Sequence, residues 1–248
     1  MKRSSIVIVI VIAWLVACQV TEEGLMPTLT PIPTASPTPT EIDLDGYEFP
    51  NSIDPTKQYM FYLHGKILED QGIPAVSPEF GEYQYEEILI TLQSYGFEVI
   101  SEQRPKNADG WEYAQITARQ VAKLLTAGVP PGSITVVGAS KGGSIAAVAS
   151  SLVGNAAVNY VLLGSCHPTL VEEWKQGALI LSGNVLAIRD FADDEYSGSC
   201  EQLFNLSEGK GLGQHDELVL QVGTGHGILY QPLPEWVLPT VQWANKEW

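Results

Sequence analysis

Between residues 47 and 248, short apolar runs alternate with stretches whose apolar residues recur at helical spacing. The apolar runs predict strands, and the stretches between them predict amphipathic helices. Regular alternation of this kind is typical of a mostly parallel sheet with helices on both faces. We predict strands over residues 58–63, 97–100, 134–137, 158–163, 184–188 and 218–222, and helices over residues 83–95, 113–127, 170–174 and 236–244, with another helix directly after residue 140.

One predicted strand leads into the pentapeptide Gly138-Ala139-Ser140-Lys141-Gly142 and then into a helix of small residues. A Gly-x-Ser-x-Gly turn between a strand and a helix is typical of the nucleophile elbow, which exposes a serine hydroxyl above the sheet. Side chains at Gly138 and Gly142 would collide with the adjacent strand or helix. We therefore predict that Ser140 is a nucleophile.

A second strand, upstream of this serine, ends in His64-Gly65-Lys66. A backbone N–H in such a loop can stabilise an oxyanion, together with the N–H of the residue that follows the nucleophile. The sequence leaves either Gly65 or Lys66 as the first donor, and Lys141 is the second. The Lys141 side chain opens the helix and should point away from the serine hydroxyl.

Four histidines are candidates for the general base, and strand order separates them. His226 follows the last predicted strand and is the candidate that we favour. His64 precedes the serine, and His167 comes one strand too early. We expect His215 to precede its strand and therefore to lie at the opposite edge of the sheet.

An acidic segment follows the strand predicted over residues 184–188 and offers three aspartates for orienting the imidazole. A carboxylate in this role lies a few residues past the strand end and holds the histidine tautomer. Asp193 has the common spacing, Asp194 is the neighbouring alternative, and Asp190 lies closer to the strand. The sequence leaves this choice open.

The order of Ser140, an acid near residue 193 and His226 resembles the α/β-hydrolase superfamily, in particular its serine esterases and lipases, over residues 47–248. The resemblance implies an α/β-hydrolase fold and hydrolysis of carboxylic esters through a serine-bound acyl intermediate, without a cofactor. Two features differ from the family pattern: Lys141 follows the serine, and the loop after Gly65 lacks further glycines. The alternatives are a peptidase or amidase on the same scaffold, or a non-catalytic envelope lipoprotein.

About 20 residues separate the strands predicted over 158–163 and 184–188, so we expect no sizeable cap domain and an open cleft. The segment from Ile67 to Gln84 is the longest predicted loop near the oxyanion donors. Its apolar and aromatic residues should form one wall of the cleft. An open site of this kind suits a small or surface-held ester.

The N-terminal residues indicate export and a lipid anchor. A cationic start and the apolar stretch of residues 6–16 predict a signal peptide over residues 1–17. Cys18 follows a small residue as in a bacterial lipobox, which predicts its lipidation. Residues 18–46 form a Pro/Thr-rich linker that cannot bury a core. We therefore expect a lipoprotein on the extracytoplasmic face of a bacterial membrane.

The cysteine count predicts a disulfide, and the net charge makes one class of binding partner unexpected. Cys166 and Cys200 form an even pair in an oxidising compartment, and both follow strands at one sheet edge, which predicts a disulfide. The formal net charge is −16, and loss of Lys2 and Arg3 takes it to −18, so a nucleic-acid partner is not expected. We find no metal-spaced His/Cys cluster and no phosphate-binding loop, and expect neither metal nor cofactor.

Overall fold

The structure is a computed structural model, and it describes residues 48–248. The signal peptide, Cys18 and the linker predicted over residues 18–46 lie outside the described residues. The strands are β1 Tyr59–Leu63, β2 Val76–Ser77, β3 Gly81–Glu82, β4 Glu98–Ile100, β5 Ile134–Ala139, β6 Asn159–Leu163, β7 Gly183–Asp190 and β8 Leu212–Leu220. The helices are α1 Lys66–Gln71, α2 Tyr85–Ser94, α3 Gly110–Thr126, α4 Lys141–Val153, α5 Pro168–Gln176, α6 Glu201–Ser207 and α7 Pro234–Asn245, with 3-10 turns at Pro131–Ser133 and Gly225–Tyr230.

Six of the strands form one sheet in the order β4-β1-β5-β6-β7-β8, and every neighbouring pair is parallel. The predicted six-stranded sheet is therefore confirmed. Because the strands are parallel, their carboxyl ends meet at one edge, where ligands bind in open α/β sheets. The short strands β2 and β3 pair separately as an antiparallel hairpin.

Alternate residues of the strands pack against helices on opposite faces of the sheet. Met60 and Tyr62 of β1 belong to the cluster that includes the buried residues of α2 and α7. Tyr59 and Phe61 belong to the other cluster, which includes residues of α3, α4, α5 and α6. Near-continuous burial along β5 reflects a strand covered on both sides. The prediction of helices on both faces is confirmed.

The last strand begins earlier than predicted. β8 starts at Leu212 rather than at residue 218, so His215 lies within the strand, opposite Val185 of β7, and not before it. The prediction failed because β8 is an edge strand whose first residues are polar and partly exposed. His215 is still near the amino end of the strand, away from the edge that carries the serine.

The loop predicted from Ile67 to Gln84 contains the helix α1 and the β2–β3 hairpin, and α6 was not predicted. Each of these elements is too short to show a clear period in the sequence. Only α5 and its flanking turns lie between β6 and β7, which confirms the absence of a sizeable cap. Among residues 48–248, no helix combines the length and the apolarity that crossing a membrane requires.

Cys166 and Cys200 form the predicted disulfide, with their Cα atoms 5.3 Å apart. Cys166 lies in the connection after β6, and Cys200 directly precedes α6. The bridge therefore joins two connections that leave the carboxyl edge of the sheet.

Candidate active site

Ser140 stands at the turn between β5 and α4. Its backbone has φ 54° and ψ −118°, a strained combination that costs a non-glycine residue about 1–3 kcal/mol. The Ser140 amide donates to the carbonyl of Leu163 in β6 at 2.8 Å, and its carbonyl accepts from the amide of Gly143 at 2.9 Å. These bonds hold the turn, and they leave Ser140 partly exposed at the edge where the strands end.

The two glycines of the elbow are required by close backbone approaches. A Cβ added at Gly138 would lie 2.2 Å from the carbonyl oxygen of Gly142. A Cβ added at Gly142 would lie 1.8 Å from the carbonyl oxygen of Leu63 in β1. Both distances are far below van der Waals contact, so the predicted collisions with helix and strand are present.

His226 lies in the 3-10 turn that follows β8, and its Nδ1 is 2.6 Å from Oδ2 of Asp193. A carboxylate can only accept, so Nδ1 carries the proton and Nε2 is left as an acceptor. Burial raises the pKa of Asp193, but the hydrogen bond with His226 and its charge outweigh this effect and lower that pKa. The amide of Tyr196 also donates to Asp193, at 3.3 Å to Oδ1.

The other two candidate acids take different places. The side chain of Asp194 points to the exposed surface of the same loop. Asp190 is fully buried and accepts from three amides that follow β8, those of Val222 at 2.9 Å, Gly223 at 3.0 Å and Gly225 at 3.1 Å. It thereby fastens the loop that leads to the histidine onto the end of β7.

The candidate oxyanion donors lie at the amino ends of two helices. Gly65 precedes α1, Lys66 is its first residue, and Lys141 is the first residue of α4. Amides in the first turn of a helix have no acceptor within the helix and remain available. A Cβ added at Gly65 would lie 3.6 Å from Cβ of Ser140, so the two segments run side by side.

The Lys141 side chain is directed away from the serine hydroxyl, as the sequence predicted. Its Nζ donates to Oε2 of Glu69 at 2.5 Å and to the carbonyl of Ala108 at 2.6 Å. Because the ammonium is engaged by these two groups, it is not placed to take a proton from Ser140.

Ser140 and His226 line a common cavity of about 490 Å³. The segment predicted to form one wall does so, through Ile67, Ser77, Pro78, Phe80 and Tyr83 among others. Tyr196, Leu229 and Tyr230 also line the cavity. Burial raises the pKa of Tyr83 to about 12, so its hydroxyl stays protonated at neutral pH. Aromatic side chains thus surround Ser140 and His226 in this cavity, and the exposed residues Lys66 and Glu79 also line it.

Two contributors to the site escaped the sequence analysis. Gly164, directly after β6, has φ 52°, and a Cβ there would lie 3.2 Å from Cε1 of His226. The ring of Tyr196 lies 4.9 Å from the imidazole. A glycine directly after an apolar strand was a usable signal for Gly164. Nothing in the sequence singled out Tyr196, which is adjacent only in the folded chain.

The residues from 48 to 248 contain no group of three or more His, Cys, Asp or Glu side chains placed to hold a metal ion. His226 and Asp193 are bonded to each other, and Asp190 is saturated by amides.

Neither a protein-family model nor a curated protein matches the chain. A solved structure from Agrobacterium tumefaciens, a protein of unknown function described as an alpha/beta hydrolase candidate, matches with a TM-score of 0.52 at 14% identity, covering 81% of this chain and 89% of that one. A sugar hydrolase from Lactococcus lactis gives 0.49 at 13% identity, covering 81% and 92%. A carboxylesterase from Mesorhizobium loti gives 0.45 at 17%, covering 68% and 81%.

The likeness with a TM-score of 0.52 and the sheet order define the class of the protein at the level of fold. Residues 48–248 have an α/β-hydrolase fold, with a six-stranded parallel sheet, helices on both faces and no sizeable cap. At 14% identity, the likeness supports a shared fold and gives no information about the substrate.

Proposed function

We propose that the protein is a serine hydrolase that cleaves small carboxylic esters, with Ser140 as nucleophile, His226 as general base and Asp193 as the orienting acid. One observation carries the proposal. A strained serine and a histidine bonded to a buried carboxylate line one cavity at the carboxyl edge of the sheet. Asp193 is favoured over Asp194 because its carboxylate, not that of its neighbour, contacts the imidazole.

In the proposed reaction, Nε2 of His226 accepts the Ser140 proton while Oγ attacks the ester carbonyl carbon. The tetrahedral intermediate expels the alcohol, which takes the proton from the imidazolium, and an acyl-serine remains. Water then gives its proton to His226 and attacks this acyl group. The carboxylic acid leaves, and Ser140 recovers its proton. Asp193 holds the tautomer throughout and stabilises the imidazolium.

The oxyanion of the intermediate is proposed to accept from the amide of Lys141 and from an amide of the loop before α1. Within that loop, the candidates are the amide of Gly65, the N-cap of α1, and that of Lys66, its first residue. Each oxyanion donor is worth about 3–4 kcal/mol of barrier.

The cavity supports an ester with a short acyl group. Its volume of about 490 Å³ lies within the range of ordinary small-molecule sites. Long acyl chains need an apolar tunnel or cap to bury them, and α5 is the only helix between β6 and β7. Aromatic side chains such as Phe80 and Tyr230 offer planar apolar surface to a small substituent.

The proposal is tested by hydrolysis of p-nitrophenyl esters with acyl chains from acetyl to palmitoyl, using the purified chain and the Ser140→Ala variant. We expect the highest kcat/KM at short acyl chains and no turnover above background in the variant. A p-nitroanilide series run in parallel separates an esterase from an amidase. Activity that persists in Ser140→Ala, or the absence of turnover on both series, would contradict the proposal.

We also propose that the protein is exported and anchored through lipid on Cys18, because a signal-peptide pattern and a lipobox-like cysteine precede a Pro/Thr-rich linker. More than one acyl chain on that cysteine would give stable membrane attachment. Metabolic labelling with an alkyne fatty acid in a bacterial host tests this. Label and membrane association should both be lost in Cys18→Ser, and label retained in that variant would contradict the proposal.

A further inference from the structure

A buried carboxylate lies next to the proposed oxyanion site, and the reaction described above does not use it. Glu69 of α1 has a fully buried side chain. Its Oε1 accepts from Nε of Arg104 at 2.8 Å, and its Oε2 accepts from Nζ of Lys141 at 2.5 Å. One anion therefore holds two cations, with the guanidinium itself almost fully buried.

Arg104 extends this cluster to the loop that precedes α1. Its backbone amide donates to Nε2 of His64 at 2.9 Å, and its Nη2 donates to the His64 carbonyl. Nε2 is therefore an acceptor, so Nδ1 carries the proton and donates to the Gly65 carbonyl at 2.8 Å. Burial, with the nearby positive charge of Arg104, lowers the pKa of His64 to about 3. The imidazole is thus a neutral link with both nitrogens occupied.

These contacts connect the two backbone segments that carry the proposed donors. Lys141 opens α4 and offers its amide to the oxyanion, while its side chain reaches Glu69. Lys66 opens α1, the same short helix that carries Glu69 three residues later. The two segments that carry the donor amides are therefore connected in two ways: through the sheet, and through the charged contact between Lys141 and Glu69.

Burying a carboxylate with two cations is costly, so the cluster is weak evidence for stability alone. Its value lies in geometry, because the buried carboxylate of Glu69 holds the guanidinium of Arg104 and the ammonium of Lys141 at contact distance. Oxyanion donors act only when they lie about 2.7–3.1 Å from the developing charge. A contact that fixes one donor segment against the other would therefore affect the transition state more than substrate binding.

We propose that Glu69 and Lys141 form a positioning pair that sets the two amide donors of the oxyanion site at their working separation. The inference rests on the proposed function. It also gives a physical reason for Lys141 at the position after the nucleophile. The backbone of this residue serves the reaction, and its side chain anchors that backbone to the helix of the other donor.

The test compares Lys141→Met, which keeps the aliphatic chain and removes the ammonium, with Lys175→Met as the matched control. Lys175 forms an exposed ion pair with Glu172 on α5. The measurements are kcat and KM for p-nitrophenyl acetate, Ki for a trifluoromethyl ketone that forms an oxyanion adduct, and Tm. Active sites are titrated so that kcat refers to folded enzyme.

We expect Lys141→Met to lower kcat by about tenfold or more and to raise Ki by a similar factor, with KM changed by less than about twofold. Lys141→Arg should restore most of kcat, because a guanidinium can still reach the carboxylate. Lys175→Met should match the wild type in all three constants. Should Lys141→Met not fold, the isosteric Glu69→Gln change allows the same comparison.

Two results overturn the inference and differ in what else they affect. If the wild type turns over and Lys141→Met keeps its kcat and Ki, the positioning pair is wrong and the proposed function stands. The positioning pair is also wrong if Lys141→Met raises KM and lowers kcat/KM by the same factor while kcat stays unchanged. If the wild type shows neither turnover nor reaction of Ser140 with the ketone, the proposed function fails and the inference fails with it.

Discussion

Two aspartates three residues apart lie at and just after the end of β7, and their contacts assign them different tasks. One oxygen of Asp193 accepts from the imidazole of His226, and the other accepts from a backbone amide. The oxygens of Asp190 accept from amides of the loop after β8 and from the amide of Ala192. One aspartate therefore orients the proposed base, and the other holds the loop that carries it.

The first prediction separates the two neighbouring acids by activity. Asp193→Asn should lower kcat for p-nitrophenyl acetate by about 10³–10⁴-fold, because an amide can present its NH₂ to Nδ1 and favour the wrong tautomer. Asp194→Asn changes an exposed side chain and should leave kcat within about twofold. Steady-state kinetics with titrated active sites measure both. A larger loss in Asp194→Asn would reverse the assignment.

The second prediction concerns His64 and acid stability. Its folded pKa of about 3 lies below the ordinary value of 6.5, so the unfolded chain takes up a proton that the folded chain refuses. The contribution of neutral His64 to the free energy of unfolding is fully present above pH 6.5. It is lost progressively as the pH falls from 6.5 toward 3. The slope from this group reaches about 1.4 kcal/mol per pH unit.

Urea unfolding between pH 7 and pH 4 measures this slope. His64→Gln keeps a donor and an acceptor without a titrating ring, and it should flatten the fall in unfolding free energy over that range. His215→Gln, in the partly exposed part of β8, is the control and should keep the wild-type slope. An equal slope in wild type and His64→Gln would contradict the account.

At the scale of elements, the sequence predicted the parts of the fold that have a strong apolar pattern. Five of the predicted apolar runs became β1, β4, β5, β6 and β7 within two residues at each end. The start of β8 was predicted six residues too late, because the first half of this edge strand contains polar side chains that are exposed or partly exposed. α1 and α6 have six and seven residues, too few for a helical period to stand out.

The candidate site follows the same rule. Ser140 and His226 could be proposed as nucleophile and base from strand order, because the carboxyl ends of parallel strands meet at one edge. The choice between Asp193 and Asp194 depends on loop geometry that one residue of spacing does not decide. Glu69 lies 35 and 72 positions from its two cationic partners, so no local pattern could have predicted that cluster.

The third prediction tests the close contact between the elbow and β1. Gly142→Ala places a Cβ against the carbonyl of Leu63, so the first turn of α4 must move. We expect a loss of several kcal/mol or failure to fold, in line with overpacked backbone contacts. Gly110→Ala, where the nearest atom to an added Cβ is 3.8 Å away, is the control. It should leave stability unchanged or raise it by up to about 1 kcal/mol. Comparable stability of the two variants would contradict the packing argument.

At the scale of the whole molecule, the disulfide secures the part of the carboxyl edge that carries Asp193. The segment between Cys166 and Cys200 includes α5, β7 and the loop of Asp193. Closing a segment of 34 residues restricts the unfolded chain, and this effect corresponds to about 3–4 kcal/mol of stability. The bond thus stabilises the domain and ties together two connections near the proposed site.

The fourth prediction follows from this loop. A Cys166→Ser, Cys200→Ser double variant should lose about 3–4 kcal/mol of unfolding free energy in urea, measured against the oxidised wild type. Reductant should shift the wild type by a similar amount and leave the double variant unchanged. A reductant-sensitive double variant, or a wild type that reductant does not affect, would contradict this role for the disulfide.

The central claim is that the folded chain holds Ser140 as an activated nucleophile. The most direct measurement is the reaction of the purified protein with a fluorophosphonate probe, followed by peptide mass spectrometry. We expect stoichiometric labelling on the peptide that contains Ser140. The labelling should be lost in Ser140→Ala and in heat-unfolded protein, and it should be much slower in Asp193→Asn. A folded wild type that remains unlabelled, or that is labelled on another residue, would contradict it.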